Sequence, residues 1–229
     1  MTKDYGSPMF LQGCGSKGTE PLTQVKLPAG CSLLPGHLNS DRQAKLAAQI
    51  GEIVVAAPLY HAAMPRTGLP FSVAMTNCGR LGWFSDKERG YRYETRHPGT
   101  GQPWPPIPNA LLELWREVSD YGSDPESCLI NYYRGKAKMG LHRDEDEAEP
   151  DAPIVSVSLG DSAVFRLGGL RRRDPTVSLT LRAGDVLVVG GPSRLIYHGI
   201  DRILPGTSDL FPQGGRYNLT MRRVTKPKV

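Results

Sequence analysis

From Cys128 onward, apolar and polar positions alternate in short runs, CLINYY, IVSVSL, AVFRL, VSLTL, DVLVV and RYNLTM, separated by clusters of Gly, Pro and Asp. A period of two bounded by turn residues predicts β-strands, and so many short strands in succession predict an antiparallel sandwich or barrel. No helical pattern longer than a turn falls between them, which excludes a parallel, helix-covered sheet. Upstream the period changes. Ser40 and Gln43 form a capping-box pattern, with Leu46, Ile50, Ile53 and Val54 following at helical intervals, so an amphipathic helix is predicted to about Val55. A second is predicted from Pro108, with Leu111, Trp115 and Val118 on one stripe and Gly122 to stop it. Both helices are expected to pack on a sheet. Residues 1–27 are rich in Gly, Ser, Thr and Lys and show neither period, which predicts a flexible leader.

Of the 229 residues, 39% are hydrophobic, enough to bury one core without disulfide or metal staples. The 26 glycines and 20 prolines stay short of a low-complexity composition. Nowhere do about 18 apolar residues run together, and the opening MTKDYGSPMFLQGCGS lacks a secretory pattern, so a cytoplasmic, non-membrane protein is expected. Cys14, Cys31, Cys78 and Cys128 form no C-x-x-C pair and are expected to be reduced thiols. The net charge of +5 is matched by five bases and no acid between Gly214 and Val229 (Arg216, Arg222, Arg223, Lys226, Lys228), which predicts a mild attraction for polyanions centred on that segment.

On an extended strand Arg216, Asn218, Thr220 and Arg222 share one face, and Tyr217, Leu219 and Met221 the other. The polar face suits either solvent or a small dicarboxylate, because guanidinium groups grip carboxylates bidentately. In His142-Arg143-Asp144 an imidazole and a carboxylate lie on one side of an extended chain, and a second imidazole, His198, follows much later. Two histidines and one carboxylate leave three positions open on an octahedral ion, the arrangement of non-haem Fe(II) oxygenases. H-x-D alone is short enough to arise by chance. Its weight comes from the ordered set of H-x-D, His198 and the arginine strand.

Asn131-x-Tyr133, Leu141-His142-x-Asp144-x-Asp146-Glu147, APIVSVSLG at Ala152, FRLGGL at Phe165, SRLIYHGI at Ser193 and RYNLTMR at Arg216 together resemble the AlkB family of Fe(II)/2-oxoglutarate-dependent dioxygenases. Upstream, Ser72 to Gly79 with Leu81-Gly82-Trp83 is similar to the nucleotide-binding lid of the family's bacterial alkylation-repair members. The resemblance runs from about Leu33 to Arg223. It implies an α+β fold: a double-stranded β-helix (jelly-roll) core, about 128–223, with N-terminal helices and a lid at about 60–100, in one domain over 28–229.

The resemblance further implies that His142, Asp144 and His198 hold Fe(II), and that Asn131, Tyr133, Arg216, Asn218 and Arg222 hold 2-oxoglutarate. With O2 the keto acid would give succinate and carbon dioxide while an N-methyl group is hydroxylated and lost as formaldehyde. Substrate positions carried over are Met75, Trp83, Tyr91, Tyr93, Asp146 and Arg172. Trp83 would stack on the damaged base, Asp146 would favour the cationic 1-methyladenine and 3-methylcytosine, and Arg172 would meet a phosphate or nucleotide. Partners implied are alkylated single- or double-stranded DNA, with RNA as an extension, acted on by a monomer. Val189 stands where the bacterial relatives carry Trp, which implies a looser wall there. Six acids in eight positions, Asp144 to Asp151, suit a solvated loop at Glu145, Glu149 and Asp151, and His37, His61 and His97 are expected to be structural or exposed. Competing readings are the same chemistry on tRNA or another N-alkyl compound and, from another class, an inactive β-sandwich binding module.

Overall fold

The computed structural model describes residues 26–227, so the leader expected at 1–27 falls almost wholly outside the described residues, as do Cys14 and Lys228. Its elements are, in chain order, β1 (Cys31–Leu34), α1 (Ser40–Ala56), β2 (Ala74–Gly79), β3 (Gly82–Asp86), β4 (Gly90–Glu94), α2 (Asn109–Val118), β5 (Ser127–Tyr133), β6 (Met139–His142), β7 (Ile154–Gly160), β8 (Ser162–Leu167), β9 (Val177–Leu181), β10 (Val186–Val189), β11 (His198–Leu204) and β12 (Arg216–Arg222). A six-stranded sheet, β1-β10-β7-β12-β5-β2, faces a four-stranded one, β6-β11-β8-β9, and β3 and β4 form a separate hairpin. All pairings are antiparallel. This is the antiparallel sandwich expected of the alternating runs and the jelly-roll that the family resemblance implied, and each of the six runs singled out is a strand.

Both helices lie on the outer face of the larger sheet. Leu46, Ile50, Leu111 and Trp115 pack with Tyr217, Leu219 and Met221 of β12 and with Ile130, Val155 and Val157 beside it. Each such side chain withdrawn from water contributes about 1.5–3 kcal/mol. A second core fills the space between the sheets, with Leu129, Ile154, Leu187 and Val189 from one and Phe165, Leu181, Ile200 and Ile203 from the other.

Both helix ends differ from expectation. The cap of α1 is Asn39, whose Oδ1 accepts the Arg42 N–H at 2.9 Å, while Gln43 donates its Nε2 to the Leu38 carbonyl at 2.7 Å. Asn caps as well as Ser, and starting the helix one residue early keeps Leu46, Ile50 and Ile53 inward. Helix α2 ends at Val118, before Gly122, because Asp120 already takes a left-handed conformation, φ 50°.

Strand β2 carries the polar pair Thr76 and Asn77, which obscures its period, yet both are fully buried with partners. Thr76 Oγ1 donates to the Ala57 carbonyl at 2.8 Å, and Asn77 donates to the Trp83 carbonyl and accepts its N–H, both at 3.0 Å. The hairpin is thereby pinned to the sheet edge at Trp83. Three of the five bases expected to attract polyanions are engaged inside the protein: Arg216 and Arg222 are buried on the inner face of β12, and Arg223 lies 3.5 Å from buried Glu126, while Lys226 is exposed. Among the described residues no helix is long and apolar enough to cross a membrane.

Candidate active site

Strand β6 ends at His142, and β11 begins at His198 directly opposite it in the register. The two rings lie 4.6 Å apart. Asp144, just beyond β6, brings Oδ1 within 3.8 Å of His142 Nε2 and Oδ2 within 3.8 Å of His198 Nε2. One donor atom from each of the three lies within 4.8 Å of the others, a group able to hold a metal ion. Each imidazole points its other nitrogen at a backbone carbonyl two residues earlier, His142 Nδ1 at Gly140 (2.9 Å) and His198 Nδ1 at Ile196 (3.1 Å). A carbonyl can only accept, so Nδ1 carries the proton and Nε2 keeps its lone pair toward the centre.

Burial, followed by the neighbouring His142, pushes the His198 imidazole down to about 4, so it is neutral at pH 7, as a ligand must be. Burial also acts to raise the Asp144 carboxyl, but Arg222 and the two histidines outweigh it and hold that group below the usual carboxylate range. Arg222 Nε and Nη2 donate to Asp144 Oδ2 at 3.1 and 2.8 Å.

Beside the triad, between the two sheets, lies a cavity of about 150 Å³. The face of β12 read from the sequence as polar points into this interior. Arg216 pairs with Tyr133 of β5 and Asn218 with Asn131, so all four of those residues share one face. Ser156 and Ser158 of β7 flank them from the other side: Asn218 Nδ2 donates to Ser156 Oγ and Arg216 Nη2 to Ser158 Oγ, both at 2.7 Å. Sequence reasoning missed both serines, although their alternation with Val in IVSVSL put them on one face. Asn131, Tyr133, Asn218, Thr220 and Arg222 line the cavity, and Arg216 lies fully buried alongside Tyr133.

At the mouth, Trp83 and Tyr91 from the hairpin stack at 5.5 Å, with Phe71 edge-on to Trp83. Trp83 Nε1 donates to Asp146 Oδ2 at 2.9 Å. Met75, fully buried, and Val189 also line the cavity. Two expected substrate residues stand off it. Tyr93 turns its hydroxyl inward to Glu147, and Arg172 donates to the Leu141 carbonyl at 2.7 Å with its guanidinium over the Tyr197 ring. The acidic run is not simply a solvated loop: Glu149 is buried, and the side chains of Asp144 and Glu147 are covered by Arg194 and Arg222. Those guanidiniums neutralise charges that would otherwise repel one another. Of the three unassigned histidines, His97 is buried, accepting the N–H groups of Gly99 and Thr100.

The profile of the 2OG-Fe(II) oxygenase superfamily matches residues 30–222. A relative from Caulobacter vibrioides, described as an alpha-ketoglutarate-dependent dioxygenase AlkB homolog, is 53% identical over 207 residues, covering 90% of this chain and 91% of its own. This chain is an AlkB-family 2OG-Fe(II) oxygenase. The alpha-ketoglutarate-dependent dioxygenase AlkB of Escherichia coli is 43% identical over 208 residues, covering 89% of this chain and 94% of its own. The solved structure of OsALKBH1 superposes with a TM-score of 0.69 at 30% identity, covering 86% of this chain and 100% of that one. An AlkB-family enzyme is a dioxygenase using Fe(II) and 2-oxoglutarate, and the residues here fit both. Two imidazoles and a carboxylate are a donor set for Fe(II) that leaves positions open. Arg216 Nε and Arg222 Nη1 are buried donors without a partner among the described residues, and a dicarboxylate would supply the acceptors they lack.

Proposed function

We propose that this dioxygenase removes N-methyl groups from alkylated nucleobases, 1-methyladenine and 3-methylcytosine, in DNA and by extension RNA. In this reading His142, Asp144 and His198 hold Fe(II), while Asn131, Tyr133, Arg216, Asn218 and Arg222 hold 2-oxoglutarate. Bound there, the metal and keto acid supply the dioxygen chemistry that hydroxylates the methyl carbon; the product then sheds formaldehyde and leaves the unmodified base.

The observation that carries the substrate assignment is the aromatic mouth. Trp83, backed by Tyr91 and tied to Asp146, opens onto the same cavity as His142. A base drawn out of its stack meets an aromatic face worth about 1–3 kcal/mol. Asp146 puts a carboxylate beside a ring that is cationic when methylated at these positions. The stretch 60–100, which contains the β3–β4 hairpin, serves as the nucleotide lid on a single domain over 28–229. Arg172, with its guanidinium near the surface turn, approaches the backbone phosphates. The same reading makes the enzyme a cytoplasmic monomer, which would elute near its mass of 25.0 kDa.

The test is 2-oxoglutarate turnover and formaldehyde release with Fe(II), using matched methylated single-stranded DNA and RNA oligonucleotides. Release from either, abolished in His142→Ala, supports the reading, and the ratio sets the preferred polymer. Turnover of 2-oxoglutarate with no formaldehyde from either oligonucleotide would remove the nucleobase assignment and leave another N-alkyl substrate. No turnover in any condition would favour a binding module.

A further inference from the structure

Asp144 and Glu147 lie three residues apart in the acidic run, and both side chains are buried beside Arg222, with Glu147 also paired to Arg194. Glu147 Oε2 accepts from Arg194 Nη2 at 2.9 Å, and its Oε1 stands 3.4 Å from Arg222 Nε and accepts the Tyr93 hydroxyl. Arg194 also holds the backbone on both sides of the run, donating Nη1 to the Asp144 carbonyl at 2.7 Å and Nε to the Ala152 carbonyl at 2.9 Å. Arg222 closes the ring with its two bonds to Asp144 Oδ2. Asp144 Oδ1, which faces His142, is the oxygen that Arg222 leaves free.

We propose that Glu147 is a positioning residue: a buried counter-ion that shares Arg222 with Asp144 and anchors Arg194, so that Asp144 presents its free oxygen to the metal. This rests on the proposed metal site and goes beyond it. The ring holds two cations and two anions and is neutral before any metal enters. Removing the charge of Glu147 leaves one excess guanidinium charge beside the site, which opposes a dication and draws Arg222 wholly onto Asp144. Tyr93 gives the β4 strand a hold on the same carboxylate, a role different from direct nucleotide contact.

Titration of the metal-free protein with Co2+ alone, followed by visible absorption, tests this without reference to turnover. Glu147→Gln keeps the shape and removes the charge. Its Co2+ affinity is expected to fall at least tenfold and its ligand-field bands to change, while its affinity for a methylated oligonucleotide stays within threefold of wild type. Co2+ affinity within twofold of wild type would overturn the proposal, as would a defect confined to oligonucleotide binding, which would make Glu147 a base reader. Should Glu147→Gln fail to fold, Tyr93→Phe decides: losing only the hydroxyl bond to Glu147, it is expected to weaken Co2+ about threefold, and an unchanged affinity overturns the proposal. A wild-type protein that shows no Co2+ spectrum sensitive to His142→Ala would instead sink the metal-site reading itself.

Discussion

Replacing Arg222 by methionine keeps much of the aliphatic volume and removes the guanidinium that lies between two buried carboxylates. Asp144 loses both donors to Oδ2 and Glu147 loses its 3.4 Å neighbour, leaving Arg194 alone against two negative charges. Breaking a buried pair by deleting one partner costs about 3–5 kcal/mol, most of it the burden of the uncompensated charge. For a domain of this size that corresponds to a fall in Tm of about 6–20 °C. The pH dependence carries the sharper test. Without Arg222, burial dominates at Asp144 and raises its folded pKa above the unfolded value, so the folded variant binds more protons than its unfolded chain and loses stability as pH rises through that raised pKa. The deficit relative to wild type should therefore be largest near pH 8 and shrink toward pH 5. Urea unfolding of the metal-free proteins at the two pH values, with linear extrapolation, measures both quantities. A deficit below about 1 kcal/mol, or one that does not shrink at low pH, would refute the view that Arg222 neutralises this cluster.

Three further outcomes follow from the geometry. Because burial lowers His198 to about 4 against an ordinary 6.5, its neutral form is favoured by folding; the metal-free protein should lose up to about 3 kcal/mol as pH falls from about 6.5 to 4, and a His198→Gln variant with the same pH profile would contradict this. Trp83→Ala should raise the KM for a methylated oligonucleotide by about 5- to 150-fold, from stacking worth about 1–3 kcal/mol, with Trp83→Phe retaining part of it and 2-oxoglutarate affinity unchanged. In Gly199→Ala the new Cβ would sit 2.5 Å from the Met139 carbonyl oxygen and 2.8 Å from that of Gly140, so β6 must shift away from β11. Weakened Co2+ binding is expected from the resulting separation of His142 and His198, and an unchanged titration would show that their alignment does not depend on this close approach.

What the sequence by itself determined is what short-range periodicity encodes. Alternation over five to seven residues located the strands named in advance, and it assigned Arg216, Asn218 and Arg222 to one face of β12 and Tyr217, Leu219 and Met221 to the other, because the pleat admits no other arrangement. Resemblance to a family added the metal set, which spacing had only suggested. Strand β2 escaped because its buried Thr76 and Asn77 break the pattern, their partners being supplied by Ala57 and Trp83 from outside the strand. Tertiary structure alone decided the register that sets His142 opposite His198, and it decided which charges are neutralised. Arg222 meets Asp144 across 78 positions and Arg194 meets Glu147 across 47, so two carboxylates of a run that composition presents as a solvated loop are neutralised by distant guanidiniums. Periodicity is a property of neighbours along the chain, whereas desolvation and charge pairing depend on which distant segments the sheets bring together, and no local pattern records that.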